Sequence, residues 1–273
     1  MAIEANPLPQ RSELSLRVMS AVVMALFALG TLWWGGWPFA LLWSLVGAVA
    51  ASEWLTIVVP ETSARQRAAV MAAVGLAGVL TFVGMERVAI GLVGFAALGT
   101  WLLVQRPVRL VAAAGVLYAA ALGIAPIIVR LEPELGIALI AWCFAVVWAT
   151  DVAAYFTGRA FGGPKLWPAV SPKKTWSGAI GGGLAGVLAG LLVAWLSLRL
   201  GVKWPLTEMA TMLCALIASA AGQMGDLLES SLKRRFGVKD SGAIIPGHGG
   251  VLDRLDAFVV VVTLVAVTVA IWR

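Results

Sequence analysis

Nine apolar stretches, each near the length needed to cross a bilayer, run through this 273-residue chain. They fall near 16–36, 38–59, 68–85, 88–104, 110–129, 135–158, 175–199, 207–228 and 251–272. A hydrocarbon core about 30 Å thick takes around 20 residues of helix, because every backbone N–H and C=O in it must find a partner within the chain. Hydrophobic residues make up 61% of the chain and charged residues 12%. Soluble domains sit nearer half and a quarter, roughly, so no water-soluble fold could hide this surface. The expected fold class is all-α: a polytopic integral membrane protein of about nine transmembrane helices. Gly35, Gly36, Pro38, Pro60, Pro107 and Pro205 punctuate the runs. The third and fourth runs are short and separated only by Glu86 and Arg87, which suggests a tight hairpin.

Charge orients the chain. With nine spans and an inside N-terminus, fourteen Lys and Arg fall on inside segments and five outside, with Arg254 at the start of the last span. That bias predicts a multi-pass chain with its N-terminus inside and its C-terminus outside, whose functional side faces the cytoplasm. The formal charge of +6 resides in short loops between apolar runs, a membrane pattern that does not ask for a nucleic-acid partner. Residues 1–15 resemble no cleaved signal peptide. Cys143 and Cys214 lie inside apolar runs without metal or redox spacing and read as small fillers. The chain divides into an N-terminal part, 1–134, with about five helices, and a C-terminal part, 135–273, with about four. Only the second part has long inside loops, 159–174 and 229–250. In the seventh run Gly178, Gly182, Gly186 and Gly190 recur every fourth residue, a bare face for a close helix neighbour.

An ionisable side chain costs about 2.5–3.5 kcal/mol at mid-membrane. Even so, Glu53, Asp151, Asp226, Glu229, Asp253 and Asp256 all fall in the inner half of their spans. Asp226 with Glu229, and Asp253 with Asp256, have the three-residue spacing that shares a helix face. The loop between these pairs brings all four to one end of an antiparallel helix pair. Clustered carboxylates repel unless a cation intervenes, and Mg²⁺ beside phosphate suits one or two carboxylates. The stretch 230–256 adds Lys233, Arg234, Arg235 and Lys239. Its Gly-rich turn, with Gly242, Pro246, Gly247, Gly249 and Gly250, leads into a helix start carrying Arg254. A helix N-terminus favours an anion, so the combination describes a metal–phosphate site. His248, the one histidine, reads as a general base, a phosphate contact or a turn residue. In the other loop Ser171, Lys174 and Thr175 are candidate phosphate donors at a second helix start.

These residues resemble the signature of the phosphatidate cytidylyltransferase (CDP-diacylglycerol synthase) family, bacterial type. The signature reads S-x-L-K-R, then K-D-x-G, then I-P-G-H-G-G-V-L-D-R-L-D, and 230–256 follows it without departure. G-D-L-L-E-S from Gly225, D-V-A-A-Y-F-T-G from Asp151 and S-P-K-K-T-W-S-G from Ser171 add to the resemblance, which covers 148–258. It implies transfer of a cytidylyl group from CTP to phosphatidate, giving CDP-diacylglycerol and pyrophosphate. It also implies Mg²⁺, with a second metal or a monovalent cation such as K⁺ admitted beside it, and it is compatible with a homodimer among membrane lipids. The expected metal ligands are Asp226, Asp253 and Asp256. Lys174, Asp226, Lys239, Asp253 and Arg254 are the expected catalytic groups. Ser171, Thr175, Lys233, Arg234, His248, Gly249 and Gly250 are the expected substrate contacts. A CTP-dependent polyprenol or phytol kinase resembles part of the same segment and differs in its products. A transporter would more often set its acids at the midplane and show an internal repeat, which is not visible here.

Overall fold

The computed structural model describes residues 10–245 and 249–272. Among them lie nine α-helices: α1 (Gln10–Trp34), α2 (Gly36–Val58), α3 (Ala64–Phe82), α4 (Glu86–Leu103), α5 (Arg109–Arg130), α6 (Gly136–Phe161), α7 (Trp176–Arg199), α8 (Glu208–Arg235) and α9 (Leu252–Trp272). Seven of them, α2 and α4 to α9, are long and apolar enough to cross a membrane, and the chain is a multi-pass membrane protein. The apolar part of α1 is the shorter Val18–Trp34. Helix α3 opens on Ala-Arg-Gln-Arg, which takes polar residues into its first turn. It packs back on α4 through the three residues 83–85, with Gly84 at φ 82°, as the short runs suggest.

Local chemistry sets the boundaries. Gly35 and Gly36, at φ 68° and 52°, break α1 from α2. Ser63 and Gln66 form a reciprocal capping box on α3. Thr207 caps α8 by accepting from Ala210 N–H at 3.2 Å.

Two boundaries differ from the hydropathy reading. The loop 159–174 is ordered by an antiparallel hairpin, β1 (Lys165–Trp167) with β2 (Ser171–Thr175), pairing Lys165 with Thr175 and Trp167 with Ser171. Helix α8 continues past its apolar run to Arg235, so Glu229, Lys233 and Arg234 are helical rather than in a loop. Nothing in Ser-Ser-Leu-Lys-Arg-Arg terminates a helix, and the first breaker is Gly237 at φ 71°. At 1.5 Å per residue the 28 residues of α8 extend about 42 Å, more than the bilayer core alone requires.

One hydrophobic core joins the N-terminal and C-terminal segments. Phe258 of α9 stacks on Trp43 of α2 at 5.1 Å and on Phe144 of α6 at 4.8 Å. The glycine stripe of α7 lies against α6: a Cβ on Gly178 would stand 2.8 Å from Ala154 O, and one on Gly182 2.8 Å from Thr150 O. The stripe is therefore a packing device, and it seats α7 and the hairpin before it. Beside α2, the residues Leu232, Phe236 and Val238 pack with Leu55, Val58 and Ala112. Six helices and the hairpin thus converge at one end of the bundle.

Candidate active site

A buried ionic brace lies at that end. Lys233 of α8 places its Nζ 2.6 Å from Asp253 Oδ1 and 3.3 Å from Glu229 Oε1. All three side chains are nearly or fully removed from solvent. The other Asp253 oxygen accepts from Ser241 N–H at 2.7 Å, Gly250 N–H at 2.9 Å and the Ser241 hydroxyl at 3.1 Å. Glu53 reaches in from α2, only 4% exposed. Its Oε1 accepts from Val251 N–H, and its Oε2 from Leu252 N–H, both at 2.9 Å. The Ser241 hydroxyl lies 3.0 Å from the same Oε2. Two carboxylates of the chain thus take the free N–H groups at the start of α9.

Beside the brace is a charged mouth, partly exposed to solvent. Asp226 Oδ2 pairs with Lys174 Nζ of β2 at 2.5 Å, and both side chains keep about three-tenths exposure. Asp226 Oδ1 accepts from Ser230 Oγ at 3.3 Å. Asp256 shares an electrostatic field with Asp226, Glu229 and Asp151, and Asp151 with Lys174 and Arg254. Asp151, Arg254, Arg234 and Lys239 are exposed. Tyr118 of α5 donates its hydroxyl to the backbone oxygen of Asp256 at 3.1 Å, fixing that turn of α9. Carboxylates from α6, α8 and α9 lie within electrostatic reach of one another and of cations from β2 and α9, and Arg234 and Lys239 are exposed. Such a surface can receive polyphosphate together with a divalent ion.

The structure brings the sequence candidates together unevenly. Lys174, Asp226 and Arg254 line the mouth, with Asp256 half-buried beside them. Lys233 and Asp253 are set into the brace, where Lys233 holds carboxylates rather than facing solvent. Asp253 accepts from Ser241 and Gly250 on one oxygen and from Lys233 on the other, which keeps a second lone pair. Thr175 is buried as the N-cap of α7, accepting from Gly178 N–H at 3.1 Å, so its oxygen is committed to the helix start. Ser171 sits half-buried at the start of β2. Gly249 and Gly250 were expected to admit a phosphate. Instead Gly250 packs under carboxylates of the chain itself: a Cβ there would overlap Ser241 Oγ and stand 2.6 Å from Glu53 Oε2. His248 lies outside the described residues. Sequence reasoning left Glu53, Ser241 and Tyr118 out of the site. For Glu53 a signal existed, an acid in an apolar run, but nothing in the sequence names its partner 199 positions away.

The donor set can be tested against Mg²⁺. Among the described residues no three Asp, Glu, His or Cys side chains converge as a ready-made metal cage. Mg²⁺ does not require one, since it binds through one or two carboxylates and keeps water and phosphate oxygens as its other ligands. Glu229 already has Lys233 beside it at 3.3 Å, whereas Asp226 keeps about three-tenths exposure and is the carboxylate open to an ion. The residues fit the ion.

The cytidylyltransferase family model matches residues 15–272. A phosphatidate cytidylyltransferase of Brucella suis is 40% identical over 256 residues, covering 93% of this chain and 92% of the relative. One from Staphylococcus haemolyticus is 46% identical over 129 residues, covering 47% of this chain and 48% of the relative.

Proposed function

This chain belongs to the cytidylyltransferase family and transfers the cytidylyl group of CTP to phosphatidate, and we propose that the charged mouth between α6, α8, α9 and the hairpin is where it does so. The observation that carries this reading is the meeting of Asp226, Asp256 and Asp151 with Lys174 and Arg254 at one end of the helix bundle. One substrate is a two-chain lipid held in a leaflet, and the other is a water-soluble polyanion. A mouth at the membrane surface serves both.

In the reaction an oxygen of the phosphatidate phosphate bonds to the α-phosphorus of CTP. The bond from that phosphorus to the bridging oxygen breaks, and pyrophosphate carries away the electron pair, giving CDP-diacylglycerol. The nucleophile is already an anion near neutral pH, so the protein mainly positions it and offsets charge. Lys174 and Arg254 would hold phosphate oxygens at the mouth, with Arg234 and Lys239 drawing CTP in from the rim. Asp226 and Asp256 would hold Mg²⁺, which when bound neutralises charge on the triphosphate. Lys233 and Asp253 would keep the end of α8 and the start of α9 in register.

The same proposal faces the mouth to the cytoplasm across the inner membrane, supported by the excess of Lys and Arg in the inside segments. The exposed apolar face of α4, with Ile90, Phe95 and Leu102, would admit a homodimer. The test is incubation of purified protein with labelled CTP, phosphatidate and Mg²⁺, followed by lipid extraction. Label in a CDP-lipid with one pyrophosphate released supports the reading. Free CDP with a newly phosphorylated lipid would make the protein a kinase instead.

A further inference from the structure

The start of α9 is the place where a helix would ordinarily offer its free N–H groups to a bound anion. Here Glu53 of α2, buried at 4% exposure, takes the N–H groups of Val251 and Leu252. A carboxylate at that position also meets the positive end of the α9 dipole. Ser241, in the loop between α8 and α9, lies within hydrogen-bond distance of both Glu53 and Asp253. Its single hydroxyl proton serves one acceptor at a time, while its N–H is given to Asp253. The chain from α2 to α8 is therefore continuous: Glu53, Ser241, Asp253, Lys233. The glycines fit the same account, since a Cβ on Gly242 would stand 3.0 Å from Glu53 Oε1 and one on Gly250 would overlap Ser241.

We infer that Glu53 is a positioning residue for cytidylyl transfer: a resident anion from the N-terminal segment that holds Ser241 and the start of α9 in register with α8. Asp256 and Arg254 lie in the first turns of α9, so the angle at which that helix starts sets where they face the mouth. Glu53 does not reach the substrate; it acts through α9. This gives the N-terminal helices a part in catalysis beyond anchoring. The inference rests on the mouth being the catalytic site.

The test compares Glu53→Gln, Glu53→Asp and Ser241→Ala with the parent protein in the same cytidylyltransferase assay, with Asp226→Asn as an inactive reference. Glu53→Gln turns one acceptor oxygen into an NH₂ that confronts backbone N–H donors. It is expected to lower kcat more than tenfold per mole of folded protein, while the KM for phosphatidate stays within about twofold. Glu53→Asp keeps a carboxylate on a shorter arm and recovers part of the lost kcat. Ser241→Ala, which leaves Glu53 on its two N–H groups, lowers kcat less than Glu53→Gln does. A thermal midpoint measured on each variant separates folding from rate. The inference is overturned if Glu53→Gln keeps the parent kcat, or if its activity falls only in proportion to folded protein. It is likewise overturned if Glu53→Asp restores nothing. An inactive parent, or an active Asp226→Asn, would instead defeat the site assignment on which the inference rests.

Discussion

Replacing Lys233 with Met tests whether the brace is an energetic unit or a set of near neighbours. Lys233 is 9% exposed and lies within 4 Å of both Glu229 and Asp253, the one cation to do so among the described residues. Methionine keeps most of the volume of the stem and removes the ammonium. Two carboxylates then remain in a space with little solvent. Breaking a buried pair by deleting one partner costs about 3–5 kcal/mol, whereas an exposed pair contributes only about 0–1 kcal/mol. The structure puts Lys233 in the first class. The measurement is reversible unfolding in mixed micelles, followed by circular dichroism, for Lys233→Met, Asp253→Asn and the double variant. Lys233→Met should lose about 3–5 kcal/mol. The double variant should be more stable than the sum of the single losses by at least about 1 kcal/mol, because Asp253→Asn removes one of the orphaned charges. A loss within about 1 kcal/mol for Lys233→Met, or strict additivity, would refute the brace.

Other perturbations probe the mouth and the packing behind it. Asp226→Asn and Asp256→Asn should each lower CDP-diacylglycerol formation by at least about 100-fold while the protein still inserts, as expected when a group offsetting charge at the reacting phosphates is lost; retained activity in either would defeat its metal role. Lys174→Ala removes a cation paired at 2.5 Å with Asp226. A charge-assisted hydrogen bond of about 1.5–3 kcal/mol translates into about a 10- to 160-fold fall in kcat/KM, read from initial rates over a range of CTP concentrations. Chelation with EDTA should abolish turnover and leave far-UV circular dichroism unchanged, with Mg²⁺ restoring the rate; turnover that survives chelation would remove the ion from the mechanism. Gly115→Ala would drive a Cβ into the indole ring of Trp54, the residue after Glu53. It should cost about 1–3 kcal/mol in unfolding measurements and lower the rate as well, since α2 carries Glu53 toward α9.

Much of this was legible in the chain itself. Apolar runs longer than a soluble helix needs leave few alternatives to membrane helices, because a bilayer offers no partner to an unpaired backbone group. The boundaries of α8 and the hairpin were less legible. Hydropathy reports where the bilayer ends, while a helix ends where a residue such as Gly237 breaks it. The Pro-rich segment before α7 carries no alternating pattern by which a short hairpin could be recognised.

The site divides along the same line. Spacing within one helix is a local quantity, so the pairs Asp226 with Glu229 and Asp253 with Asp256 could be read directly, and the long motif around them tied them to cytidylyl transfer. Which carboxylate faces the substrate and which is consumed inside the protein is not local. Asp253 looks like Asp226 in sequence, yet it is engaged by Ser241, Gly250 and Lys233. Glu53 looks like an isolated acid, yet it occupies the anion position at the start of α9. The sequence determined the kind of fold, the reaction and the cast of charged residues. Only the tertiary structure decided their division of labour, because a buried charge takes its role from whichever donors the packing of distant helices brings within hydrogen-bond reach.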